Sequence, residues 1–328
     1  MRKLFVVFLA ATLGLGYLSY VWLNEPLALA AASLDLVVEP GSSPREVAVQ
    51  VQQAGVAVNP ALLYWWFRLS GRARQIKAGN YELESGTTPS SLLSKLVRGE
   101  EALRSVTLVE GWNFHQVREA LKKADQLKAV TDVLPVEELM QQLGKPGVSP
   151  EGRFFPDTYS YAKGSSDLAL LQRAARAMDR KLEAVWSQRS PQTQLKSPDE
   201  ALILASLVEK ETGRADDRPQ IAAVFYNRLR MGMRLQTDPT VIYGLGPLFN
   251  GNLRRADLAA DTPWNTYTRA GLPPTPIAMP GRGALLAAVQ PAASKALYFV
   301  ARGDGSSQFS ATLDEHNRAV NKYLRGKP

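Results

Sequence analysis

The segment from Ser197 to Gly213 holds two glutamates two positions apart, Glu209 and Glu211. Ser197, Pro198 and Glu200 read as a helix start: a hydroxyl cap, a proline at the first helical position and a capping-box acid. Gly213 is a natural stop. At about 100° per residue, Ile203, Leu204, Leu207 and Val208 define one apolar arc. Glu211 falls near the middle of that arc, Glu209 nearly opposite and Lys210 on a flank. Glu209 is therefore expected to be solvated or paired, and Glu211 to point inward. An inward carboxyl in a partly apolar site has its ionised form disfavoured, so its pKa rises. An acid still protonated near neutral pH is what protonation of a glycosidic oxygen requires. The plainer alternative is a buried glutamate neutralised by an arginine.

Downstream, amides, hydroxyls and aromatic rings alternate in Leu235–Gly244, Thr262–Tyr267 and Gly271–Pro274, which read as loops. That mixture suits sugars, whose hydroxyls need hydrogen bonds and whose flat faces stack on rings. Asn227, Gln236, Asn265, Tyr243 and Tyr267 are the candidates for orienting such a ligand, with Thr237 and Asp238 beside them. Asp238 precedes a proline and reads as a turn former or hydroxyl ligand rather than a nucleophile. The histidines, His115 and His316, lie far apart without ligand spacing, so neither a metal site nor a Ser–His–Asp triad is expected. No cofactor is expected; Gly244 and Gly246 lack the rest of a dinucleotide fingerprint.

These residues need elements to hold them. A strand–turn–helix pattern recurs upstream. Leu36–Glu39 is followed by Ser43, Pro44 and Glu46, and Tyr81–Glu84 by Thr88 and Pro89. A looser copy starts at Val106 and runs into a helix near Val117–Leu121. The uneven spacing argues against a solenoid and for small strand–helix units on a shared sheet. Tyr64-Trp65-Trp66-Phe67 is either a carbohydrate-stacking cluster or a packed helical stripe. Residues 151 to 164 read as a loop rich in aromatics. Helices are expected over Asp167–Ser187, up to Gly232, and over Asp314–Leu324, with a hairpin around Gly303-Asp304-Gly305.

The N-terminus sets the location. Met1-Arg2-Lys3 precedes an uncharged run from Leu4 to Leu23, about the length of a membrane-crossing helix. Tyr17, Tyr20 and Trp22 sit at its far end, where amphipathic rings favour the interface. Arg2 and Lys3 keep the N-terminus cytoplasmic and send the rest outside. The alternative is a signal peptide cleaved near Ala28-Leu29-Ala30. Either reading exports the chain and argues against nucleic acid as a partner. The net charge of +8 then favours acidic lipid headgroups or acidic wall polymer. The absence of cysteine excludes thiol catalysis, zinc–thiolate sites and disulfides.

Glu209-Lys210-Glu211-Thr212, Asn227-Arg228-Leu229, Leu235–Val241, Tyr243-Gly244, Asn265-Thr266-Tyr267 and Gly271–Pro274 together resemble the YceG-like family of membrane-bound endolytic murein transglycosylases. Lys77–Tyr81 and Phe155–Thr158 also look like family elements. The resemblance implies an α+β architecture with five segments. These are a cytoplasmic stub (1–3), a transmembrane helix (4–23), a linker (24–33), a small LysM-like α/β module (34–103) and a larger mixed α+β catalytic domain (104–328). It implies cleavage between N-acetylmuramic acid and N-acetylglucosamine inside peptidoglycan glycan strands, leaving 1,6-anhydro ends, with Glu211 as the acid/base. It also implies an inner-membrane, single-pass protein with its catalytic domain in the periplasm, associated with peptidoglycan synthases. The rival readings are a hydrolytic muramidase and a non-catalytic wall-binding scaffold.

Overall fold

The computed structural model describes residues 2–325. Met1, on the expected cytoplasmic side, lies outside them. The chain is mixed α+β and divides into two compact units. One runs up to Arg104 and takes in Ser160–Gly164; the other comprises Ser105–Tyr159 and the chain from Ser165 onward.

The first unit begins with α1 (Arg2–Asn24), whose stretch Phe5–Asn24 is long and apolar enough to cross a bilayer and is not buried by protein. Residues 24–33, expected as a linker, are instead tied into the fold. β1 (Ala28–Leu29) pairs with β3 (Val56–Ala57), and the Leu27 amide donates to the Thr87 carbonyl at 2.8 Å. Unpaired backbone beside an apolar core is costly, and this pairing satisfies it.

β2 (Ser33–Val38) pairs antiparallel with β4 (Gly79–Glu84), with Leu36 opposite Tyr81. Leu36, Val38, Tyr81 and Leu83 alternate inward, while Val37 faces out, as a half-buried strand requires. Helices α2 (Pro44–Gln53), α3 (Pro60–Leu69) and α4 (Pro89–Arg98) cover this ladder. Each opens on proline. Ser43 with Glu46 and Thr88 with Ser91 close reciprocal capping boxes. Gly99 ends α4 at φ +71°, a left-handed conformation glycine adopts without strain. Of the aromatic cluster on α3, Phe67 is buried, Trp66 donates to the Pro89 carbonyl, and Trp65 is exposed.

Among the described residues the expected shared sheet is not formed. The first two repeats share the β2–β4 ladder, but the third strand, β5 (Leu103–Thr107), pairs with β6 (Thr158–Ala162). The expected 151–164 loop thus ends in a strand, whose Tyr159 and Tyr161 face inward and suit alternate burial.

In the second unit, α5 (Phe114–Lys122) and α6 (Val136–Gln142) precede the long α7 (Asp167–Ser187). The core gathers around α8 (Pro198–Glu211), packed by α7, α9 (Arg218–Arg230) and α12 (Arg282–Val289). The apolar arc expected on α8 is wider than a stripe: Ala201, Leu202, Leu204–Val208 are all buried, and Ile203 is only partly so. A helix surrounded by other helices buries nearly its whole girth. Buried Ser206 is satisfied by donating to Ile203 and accepting from the Ile277 amide. Ser197 caps the helix as expected, but Glu200 reaches one residue further back, to the Lys196 amide, so no closed box forms. The Leu235–Gly244 segment is not all loop: α10 (Asp238–Leu245) begins at its Asp-Pro pair. A short α11 (Arg255–Ala259), the hairpin of β7 (Tyr298–Ala301) and β8 (Ser307–Ser310), and α13 (Leu313–Val320) complete the unit.

Candidate functional site

Glu211 is the last residue of α8; Thr212 is extended and turns the chain away. Its carboxyl accepts a hydrogen bond from the Thr237 hydroxyl. Burial is the main reason its pKa rises to about 7, and the negative charge of Asp238 adds to the rise. The Thr237 bond and the charge of Arg228 oppose it. Among the described residues Glu211 forms no ion pair. The group is therefore an acid that holds its proton to near neutrality and can also release it.

Thr237 is placed by a buried hydroxyl cluster. Its amide donates to Thr266 Oγ1 at 3.1 Å, Thr240 Oγ1 donates to its carbonyl at 2.7 Å, and Thr240 and Thr266 hydroxyls lie 2.9 Å apart. The preceding residue, Gln236, holds φ +52°, a conformation uncommon for a side chain of its size. Its amide donates to the Thr266 carbonyl, and that anchor keeps it there. Gln236 and Asp238 are exposed on either side of buried Thr237. The Tyr267 hydroxyl donates to Asp238 Oδ1 at 2.5 Å, and burial with that contact pushes the phenol pKa upward.

The nearby arginine does not neutralise Glu211. Arg228 spends its guanidinium on backbone carbonyls, with Nε on Leu297 at 2.7 Å and an outer nitrogen on Leu235 at 2.8 Å. It also lies over the Tyr298 ring.

Structure thus brings Glu211, Gln236, Thr237, Asp238 and Tyr267 together. It sets two other expected residues to structural tasks. Asn227 is buried, donates to the Ser294 and Ala296 carbonyls at 2.9 Å each, and accepts from Arg230. Asn265 is fully buried, donates to Leu258 and Ala260, and accepts from the Tyr267 amide, which holds that tyrosine in place. Tyr243 stands further along α10, with its hydroxyl 3.1 Å from Glu151 Oε2.

Glu151 is a residue the sequence reading passed over. It lines, with Phe114, Lys210, Tyr243, Trp264 and Ile277, a cleft of about 1020 Å³. Glu211 does not itself line that cleft, but Lys210 before it and Pro239 after Asp238 do. The available signal was an acid opening a run rich in phenylalanine, proline and tyrosine.

The two units and this site define a mixed α+β protein with an N-terminal apolar helix and, at the end of α8, a proton-holding carboxyl without an ion pair among the described residues. Residues 36–322 match the YceG-like family, and the chain belongs to that family. It is 31% identical over 314 residues to the endolytic murein transglycosylase of Bacillus subtilis (strain 168), covering 90% of this chain and 86% of that protein. It is 29% identical over 360 residues to the endolytic murein transglycosylase of Streptococcus pneumoniae (strain D39), covering 98% of this chain but 65% of that one. The crystal structure of a yceG-like protein from Listeria monocytogenes superposes with a TM-score of 0.55 at 29% identity, over 88% of this chain and 98% of the other.

Proposed function

We propose that this chain is an endolytic murein lytic transglycosylase in which Glu211 is the single acid/base. The observation that carries the reading is the Glu211 carboxyl: buried enough to hold a proton to about pH 7, bonded to one hydroxyl and, among the described residues, to no cation. As an acid, Glu211 gives its proton to the oxygen leaving the muramyl anomeric carbon as that bond breaks. As a base, it takes the proton of the muramyl 6-hydroxyl, whose oxygen attacks the same carbon and closes the 1,6-anhydro ring. One proton leaves Glu211 and one returns, so the enzyme is regenerated with no water consumed. No second carboxylate nucleophile is required, unlike the two-carboxylate glycosidases. Gln236, Thr237, Asp238 and Tyr267 orient the sugar at the rim, Tyr243 extends the contact along α10, and Asn227 and Asn265 brace the backbone behind them.

The substrate in this reading is the glycan strand of peptidoglycan. Residues 34–103 form the LysM-like glycan-binding module and 104–328 the catalytic domain. Helix α1 anchors the chain in the inner membrane, with the N-terminus cytoplasmic and the catalytic domain periplasmic, within reach of peptidoglycan synthases. The names of the relatives from Bacillus subtilis and Streptococcus pneumoniae support the activity, and the apolar helix supports the anchor.

Digestion of sacculi with product mass analysis tests the proposal. Anhydro-muramyl ends, lost in Glu211→Gln, are the expected result. Reducing ends would indicate a hydrolytic muramidase. Undiminished cleavage by Glu211→Gln would remove that residue from the mechanism, and no cleavage by the parent would leave a wall-binding scaffold.

A further inference from the structure

Glu151 is 4% exposed and lies within the connection between α6 and β6. Both of its oxygens face the Phe114 amide, at 3.0 and 3.2 Å, and Oε2 also accepts from the Tyr243 hydroxyl at 3.1 Å. No ion pair to it is present among the described residues. Burial drives its pKa up to about 7 against those hydrogen bonds.

A buried carboxyl at a helix start is often only a cap, but α5 already has one. Asn113 caps the Gln116 amide and Gln116 caps the Asn113 amide in return. Glu151 instead takes the Phe114 amide, the first of the helix, and lines the cleft. A carboxylate offers about four acceptor positions. The Phe114 and Gly152 amides and the Tyr243 hydroxyl occupy three of them, which leaves one accepting position toward the cleft.

The walls around it suit a ring. Tyr243 and Trp264 meet edge to face, with centroids 5.3 Å apart. Trp264 is pinned by its indole N–H to Thr275 at 2.9 Å. Phe114 stacks on Phe154 nearby. Tyr243 follows Asp238 by five residues on α10, which at ~1.5 Å per residue sets it about 7.5 Å along the helix from the Glu211 site.

We propose that this cleft is a second aminosugar subsite beside the scissile bond. Trp264 and Tyr243 hold the ring, while Glu151 fixes the Tyr243 hydroxyl and accepts a hydrogen bond from the sugar's acetamido N–H or a hydroxyl. The proposal rests on the reading that the Glu211 site handles an aminosugar strand. It adds a ligand-touching carboxyl that plays no part in proton transfer.

The test uses the full chain in detergent with Glu211→Gln as a non-cleaving background, titrated calorimetrically with a chitin oligosaccharide. Adding Glu151→Gln keeps the shape but removes the free acceptor; adding Tyr243→Phe removes the hydroxyl that Glu151 holds. Each is expected to weaken binding about 5- to 10-fold, the worth of one hydrogen bond. Together they are expected to weaken it by less than the product, because they share one contact. Melting temperatures are expected to stay within a few degrees of the background. In the otherwise native enzyme, Glu151→Gln is expected to raise KM more than it lowers kcat. Unchanged affinity in both double variants overturns the subsite. Should Glu151→Gln not fold, unchanged affinity with Tyr243→Phe and with Trp264→Ala overturns it equally. Cleavage by Glu211→Gln alone would defeat the catalytic reading without touching these binding comparisons.

Discussion

Glu209 and Glu211 leave the last turn of α8 on different sides and meet different chemistry. On one side, Glu209 is nearly buried, accepts from the Gly281 amide at 3.0 Å and lies 3.4 Å from Arg218. Burial raises its pKa, but the amide and the guanidinium pull the other way. On the other side, Glu211 has a threonine hydroxyl where Glu209 has an arginine. Identical side chains, two residues apart, become a structural ion-pair partner and a free acid. The difference is set by which distant segments pack against each flank: α9 and the start of α12 on one, the start of α10 on the other.

The comparison breaks most visibly through activity. Glu211→Gln is expected to lower cleavage by about 10³-fold or more, because one residue supplies both acid and base; release of anhydro ends measures it. Glu209→Gln is expected to leave turnover within about 10-fold. A reversal of these two results would end the distinction.

The next effect is on stability. The folded pKa of Glu211, about 7, lies above its ordinary 4.5. The folded protein therefore binds this proton more tightly than the unfolded chain. The resulting stabilisation is complete below about 4.5 and gone above about 7. Melting of the parent against Glu211→Gln should diverge across that window by up to about 3 kcal/mol, with the parent the weaker at pH 8.

Breaking the Glu209 pair should cost about 2 kcal/mol, since it leaves the largely buried Arg218 guanidinium with the longer, more exposed pair to Glu110 at 3.8 Å. Thermal unfolding of Glu209→Gln reads this, and no loss would mean that the pair is solvated in practice.

The smallest shift sharpens the role of Thr237. Its hydroxyl lowers the Glu211 pKa. Thr237→Val should therefore move the alkaline limb of the pH–rate profile upward, by up to about one unit. A profile that does not move would show that the hydroxyl does not act on the acid.

Much of this was legible in the chain because it is local. Ser43, Thr88 and Ser197 announce their helices through hydrogen bonds that span three residues. The apolar run ahead of Asn24 announces α1 by length alone. Helical periodicity separated Glu209 from Glu211, but it did not show that Glu209 is nearly buried as well. Asn227 and Asn265 were legible only as polar side chains; that both are consumed by backbone carbonyls depends on segments up to 69 residues away. Glu151 was passed over for the same reason, since Phe114 and Tyr243, 37 and 92 residues distant, are what make it a buried acceptor.

The sequence by itself determined the helix starts and the membrane-length segment, because these depend on spacing within a few residues. Tertiary structure decided that Glu209 meets Arg218, that Glu211 accepts from Thr237, and that α10 rather than a loop carries the rim toward Tyr243. A carboxyl's protonation depends on the charges and dipoles within a few ångströms, and folding alone chooses those neighbours.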